Sequence, residues 1–452
     1  MKRAHSILLI ALALCLAHGL AGKTIEISTK AELLPALEDL QAGDTLKLSS
    51  GEWNSVELVL VMEGRAEAPI VVTGASDGST VITGRSSIRI GGKYITVQNL
   101  HFKGVEPPDN QDAIVSFQES SEKMALQSRL SNCFFDACNP KDPDRRYAWV
   151  RIYGLKNRVD HTLFSGQNHS GVTVQVMMRL ANAGHRIDYN HFKDRKPGDG
   201  NGFECIQLGQ SGDSEKNGDC VVEYNLFERC DGETEIISNK TGNNSYRFNT
   251  FVESVGCLTL RHGDNCLVEN NAFFGKGKPL SSGIRIIGTG HTVRNNYFDG
   301  LSGITGGVIV LYTGFPGSPL NGYFAADDTQ LENNLVVDCQ GVGLYLHGGY
   351  GERNRTILPK RVSIKNNLIH LGAFGHLQVA GELPDAVFES NIVNQGKEFG
   401  RPDLTGFTKS TMTLITNDAG FRIPVDGNGE YLFHFQGMGP KIVTAEEVGP
   451  RW

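Results

Sequence analysis

The sequence predicts an all-β chain wound as a right-handed parallel β-helix, a solenoid with a short helix capping its N-terminal end. Three observations carry that prediction. A unit of an apolar or β-branched residue, an Asn-rich turn and a phenylalanine recurs, as in Val97-Gln-Asn99-Leu-His-Phe102, Val222-Glu-Tyr-Asn225-Leu-Phe227 and Val293-Arg-Asn-Asn296-Tyr-Phe298. Successive units lie 22 to 38 residues apart, the mark of stacked coils whose length differences are taken up in loops. Patterns for long helices are scarce in a chain of 452 residues with 54 glycines. Leucine-rich horseshoes need a leucine signature absent here, and propeller blades need longer, more regular repeats.

From the N terminus, Lys2-Arg3, the apolar run Ile7 to Ala17 and the small residues Gly19-Leu-Ala21 read as a signal peptide over residues 1–21. The apolar run is too short to span a bilayer, and no other stretch approaches that length. An exported protein, periplasmic or secreted and without a membrane span, is expected, with residues 22–452 as one domain. Thr29-Lys-Ala-Glu32 has capping-box spacing and opens the apolar series Leu33, Leu34, Leu37, Leu40, which suits an end cap. Asparagine tolerates the left-handed bend that each corner requires, and stacked amides can bond from coil to coil. The phenylalanines, at a fixed offset, should stack inside. Residues 400–452 lose the pattern and are expected to close the far end.

Composition narrows the function. Removing residues 1–21 takes away Lys2 and Arg3 and leaves 41 basic against 50 acidic residues, a net charge of −9. Such a chain is no general nucleic-acid binder, and any polyanion must meet a local basic groove. The eight remaining cysteines show no zinc spacing, and no disulfide pairs are assigned.

The chemistry concentrates after the Asn-Phe turns. Side chains alternate along a strand. In Leu258-Thr-Leu-Arg261 the leucines should point inward and Thr259 and Arg261 outward; in Gly283-Ile-Arg285-Ile, Arg285 should point outward. In Glu233-Thr-Glu235-Ile, Ile236 should point in and both glutamates out, with Lys240 on the loop beyond, free to reach back. Asn201 opens the corresponding strand of the preceding coil, which also carries Glu204 and Gln207. A solvated, salt-bridged face explains most such clusters, and His262 and His291 are more often structural. Two carboxylates and an amide oxygen are, however, hard ligands suited to Ca2+ rather than zinc.

The set Asn201-Gly-Phe-Glu204, Glu233-x-Glu235-x-x-Ser-Asn-Lys240, Leu258-Thr-Leu-Arg261-His262-Gly and Gly283-Ile-Arg285-Ile-Ile-Gly resembles polysaccharide lyase family 6, which contains alginate lyases and chondroitinase B. The likeness runs from about residue 25 to the closing Val448-Gly-Pro-x-Trp452. It implies a parallel β-helix enzyme in which Asn201, Glu233 and Glu235 hold Ca2+ and Lys240 is the catalytic base. Arg261 is its catalytic partner, described in the family as the acid, while Arg285, His262 and Glu204 bind substrate. The implied reaction is β-elimination on an anionic uronate polysaccharide, alginate, with Lys240 taking the C5 proton and a 4,5-unsaturated end left behind. A guanidinium hardly ever deprotonates, so Arg261 is expected to stabilise charge. Lys240, a tyrosine or water then returns the proton.

The close alternative is a chondroitin or dermatan sulfate lyase, for which the basic run Arg353, Arg355, Lys360 and Arg361 could receive sulfate. A β-helix C5-epimerase would share the proton abstraction without elimination. A glycosidase would use Glu233 and Glu235 as its acid–base pair, and a glycan-binding helix would turn nothing over.

Overall fold

The computed structural model describes residues 22–142, 144–303, 306–379, 383–396 and 405–452. Residues 1–21, read from the sequence as a signal peptide, lie outside them. Short strands pair in parallel into three long sheets of 14, 12 and 14 strands, and within each sheet hydrogen-bonded neighbours are in general three strands apart in sequence. That is a parallel β-helix: one coil contributes one strand to each sheet. One hydrophobic core runs from Ile27 to Val393. Among the described residues no helix is long and apolar enough to cross a membrane.

The repeat builds two interior ladders. Asn190, Asn225, Asn249, Asn271, Asn296, Asn334, Asn367 and Asn391 lie one per coil. Each side-chain amide donates to the next amide oxygen at 2.9–3.0 Å. These buried polar groups are therefore satisfied by their own copies. Phenylalanines 102, 135, 164, 192, 227, 251, 273 and 298 stack with ring centroids 4.3–5.1 Å apart.

The left-handed corner falls one residue before the ladder asparagine, at Tyr189, Tyr224 and Phe248 among others. Asn99 and Asn132 themselves occupy that corner, with φ of 58° and 53°. The early asparagines thus match the later tyrosines in register, not the later asparagines. Both positions accept asparagine for different reasons: one needs positive φ, the other needs an amide that both donates and accepts.

At the N-terminal end a short 3-10 turn, Lys30–Glu32, leads into the helix Leu33–Glu38. The Glu32 carboxylate accepts the Ser28 and Thr29 N–H groups at 2.7 and 3.1 Å. Leu33, Ala36 and Leu40 are buried on the first coil, whereas Leu34 faces outward.

The C-terminal expectation needs correction. Phe407–Ser410 adds a strand at the far end, but the hairpin Thr413–Thr416/Arg422–Val425 turns back to pack on the flank. From there the chain runs toward the N-terminal coils. Val443 N–H donates to Thr250 Oγ1, Gly449 N–H to the Tyr189 carbonyl, and Arg451 N–H to Asn132 Oδ1. It is a side strap, favoured because Phe421, Ile423 and Phe433 cover an apolar outer face at Ala272, Tyr297 and Leu335.

Candidate active site

The site lies on the 12-stranded sheet. Its inward column runs Val150, Val174, Ile206, Ile237, Leu258, Ile284, Ile309, and its outward column runs Arg151, Gln175, Gln207, Ser238, Thr259, Arg285, Val310. Leu258, Leu260, Ile284 and Ile286 point inward as the alternation requires. The strand Glu235–Lys240 does not keep simple alternation, because register shifts interrupt it between Glu235 and Ile237 and again between Asn239 and Lys240. The inward position is therefore Ile237, not Ile236, although Ile236 is also buried. Lys240 ends the strand opposite His262 instead of hanging from a loop. Such bulges re-aim side chains.

A cleft of about 440 Å³ brings together Asn201, Glu204, Glu235, Lys240 and Arg261, with Arg151 toward its N-terminal end. Glu233 lies just before the strand, and its Oε1 accepts the Gly202 and Phe203 N–H groups at 3.2 and 3.3 Å. Burial, with Glu204 and Glu235 beside it, raises the Glu233 pKa well above the usual carboxylate value. Glu204 is buried; one oxygen accepts from Gln207 Nε2 at 3.4 Å and the other has no partner. Glu235 is ion-paired with Arg285. Among the described residues no three His, Cys, Asp or Glu side chains form a ready-made metal cage. Even so, three crowded carboxylates, an unpartnered carboxylate oxygen and the Asn201 amide make an oxygen-only donor set. Its chemistry fits a hard divalent cation, which would offset the burial and the neighbouring carboxylates that raise the Glu233 pKa.

Arg261 donates to the carbonyls of Gly322 and Asn321 at 2.7 and 3.3 Å, and its guanidinium lies 4.2 Å over the Tyr323 ring. Burial lowers its pKa. Burial alone would lower the pKa of Arg285 too, but Glu235 reverses this and raises it, so Arg285 stays charged; its Nε has no partner. His262 is buried, and burial followed by Arg261 and Lys240 pushes it down to about 3, so its ring is neutral. It lines a separate cavity of about 600 Å³, not the cleft that holds Lys240.

Of the basic run 353–361, only Arg355 turns inward, where its guanidinium lies over Tyr312 at 5.5 Å and Tyr323 at 4.7 Å. Lys360 and Arg361 pair with Asp327 and Asp328 on the surface. Arg151, Tyr312 and Tyr323 were missed by sequence reasoning. The alternation in Ala148-Trp-Val-Arg151-Ile sets Arg151 in the Arg285 column and could have found it; Tyr323 sits in an irregular loop that carries no such signal. A larger cavity of about 710 Å³ lies under the C-terminal strap, far from these residues, and there Arg422 is already paired with Asp299 and Asp338.

The family model described as Chondroitinase B matches residues 27–437. The chain belongs to that family, polysaccharide lyase family 6. Among solved structures, the family 6 alginate lyase AlyGC superposes with a TM-score of 0.86 at 31% identity, covering 95% of this chain but 58% of AlyGC. The chain thus spans a little over half of that relative's length. A mannuronic acid-specific family 6 lyase from human gut microbiota superposes with a TM-score of 0.78 at 29% identity, covering 86% of this chain and 91% of its own. A family 6 lyase from Pseudopedobacter saltans, at 23% identity and a TM-score of 0.77, shares the fold. No curated protein matches the chain.

Proposed function

We propose that this family 6 chain is a Ca2+-dependent alginate lyase, exported to the periplasm or beyond, that cleaves by β-elimination. The observation that carries the reading is that Lys240, Arg261 and Glu235 line one cleft, with Arg285 joined to Glu235 from two coils away. Asn201, Glu233 and Glu235, with Glu204 beside them, would hold Ca2+, which when bound neutralises the uronate carboxylate and spreads the charge that develops at C5. Lys240, as the base, accepts the C5 proton. The C4–C5 double bond forms as the C4–O bond breaks, and the departing oxygen takes a proton from Lys240 or water. Arg261, on the cleft wall, and Arg285, behind it on Glu235, hold positive charge near the substrate carboxylate and the leaving oxygen.

Two of the similar structures are named as alginate lyases or as mannuronic acid-specific, which favours alginate. The second reading, a dermatan or chondroitin sulfate lyase, is supported by the family's description. One assay separates them. The protein is incubated with alginate, mannuronate-rich and guluronate-rich blocks and dermatan sulfate, with and without chelator, and the ultraviolet absorbance of unsaturated uronate is followed. Signal on alginate that chelator removes is the expected result. No signal on any polymer overturns the lyase reading.

A further inference from the structure

The cleft has a basic side and stops abruptly. It is lined by Arg146 and Arg151 toward its N-terminal end and by Lys240 and Arg261 at the other, against the carboxylates Glu204 and Glu235. Beyond Arg261 the segment 313–326 leans back over two coils and meets the Arg261 guanidinium with two main-chain carbonyls and the face of Tyr323. This segment is braced. Gly314 and Ile357 exchange main-chain hydrogen bonds at 2.8 and 3.0 Å, Phe315 N–H donates to the Tyr323 carbonyl at 2.9 Å, and Ala326 N–H donates to the Tyr312 carbonyl at 3.0 Å. Arg355 supports the Tyr323 ring from the following coil.

The cavity on the other side of the segment has the opposite character. It is lined by Glu215 and Asp264, by Asp327, which Lys360 already pairs from outside, and by apolar residues including Phe315 and Phe324, with no lysine or arginine among its lining residues. A polyanion that fits the first cleft has no counter-charge with which to continue into the second.

We propose that segment 313–326 is a fixed wall that ends the substrate cleft at Arg261, so that a polyuronate chain enters from the Arg151 side and is shortened from one of its ends. This rests on the lyase reading. Lys240 and Arg261 stand on adjacent strands, about 4.8 Å apart along the solenoid axis, so little room remains between the reacting bond and the wall. The released piece is short.

The wild-type protein alone tests this. Alginate fractions of equal mass and decreasing length are digested, and initial unsaturated absorbance, viscosity and product masses are followed together. The expected result is a rate that doubles when chain length is halved, unsaturated monomer and dimer from the earliest time points, and viscosity that lags behind bond cleavage. Replacing residues 316–322 by a short Gly linker, or Tyr323→Ala alone, should raise the viscosity loss per bond cleaved several-fold and bring longer oligomers. A wild-type digest that begins as a ladder of long oligomers, with a rate independent of chain length, overturns the wall and leaves the lyase reading intact. No unsaturated product from any polymer overturns both.

Discussion

Arg285 and Glu235 stand on strands two coils apart and close an ion pair past the strand that carries Arg261. Both are largely buried, with side chains 15% and 11% exposed. One carboxylate thus serves a guanidinium while belonging to the acidic cluster. Removing one partner from such a pair leaves an uncompensated charge, which costs about 3–5 kcal/mol. Arg285→Met is expected to lose about that much stability in urea unfolding with chelator present, and less of it in Ca2+, because a cation replaces the missing charge.

Lys240 and Arg261 should fail differently when changed. Lys240→Met removes the base and is expected to lower kcat by about 10²–10⁴-fold, with folding and Ca2+ response retained. Arg261→Lys keeps the charge but loses the planar fork and much of the stacking on Tyr323; kcat should fall by about 10²–10³-fold. Near-normal turnover by Arg261→Lys would show that a point charge suffices there.

The crowding of Glu233 by Glu204 and Glu235 predicts a stability response to calcium that needs no substrate. A ligand at one hundred times its Kd stabilises by about 2.7 kcal/mol. Wild-type protein should therefore melt at higher temperature in Ca2+ than in chelator, and Glu233→Gln should lose most of that difference. Equal shifts in both proteins would move the cation elsewhere.

Acid should loosen the solenoid earlier than its carboxylates require. Burial pushes His185 down to about 3 and His291 down to about 4. His185 Nδ1 accepts the Asn157 N–H at 3.1 Å, and His291 Nδ1 accepts the Cys266 N–H at 3.2 Å, so both rings serve the backbone as neutral acceptors. Unfolded, they return to about 6.5. The unfolded chain then binds protons that the folded one refuses, so their contribution is full above about pH 6.5 and drains away as the pH falls toward 3–4. Asp160, lowered to about 2 by Arg129 and His161 against the opposing effect of its burial, stays ionised through that window. The urea midpoint should fall between pH 7 and pH 5, with a shallower slope in His185→Gln.

The fold was legible because its signals are local: one asparagine, one phenylalanine and strict alternation, repeated until coincidence is excluded. The outward direction of Arg261 and Arg285 followed from the same alternation. What escaped the sequence was whatever broke it. The register shifts around Ile236 and Lys240 add no characteristic residue type, so nothing in Glu-Ile-Ile-Ser-Asn-Lys marks where parity changes. Asn99 and Asn225 look alike in sequence and do different work. Tyr323 reaches Arg261 from a loop 62 residues downstream whose path no periodicity describes. The side strap was hidden for another reason: its apolar residues would serve an end cap equally well.

That strap also orders the folding process in time. Arg451 and Asn132 are 319 residues apart, yet they share a hydrogen bond, whereas the strand pairing of the three long sheets joins adjacent coils. Coils can zip onto their neighbours as they form, at low loop-closure cost, but the strap has nothing to bind until most of them are in place. Its contacts are therefore expected to be absent from the folding transition state and to act chiefly on the unfolding rate. The last residues of the chain are a brake on fraying, engaged after the solenoid has been wound.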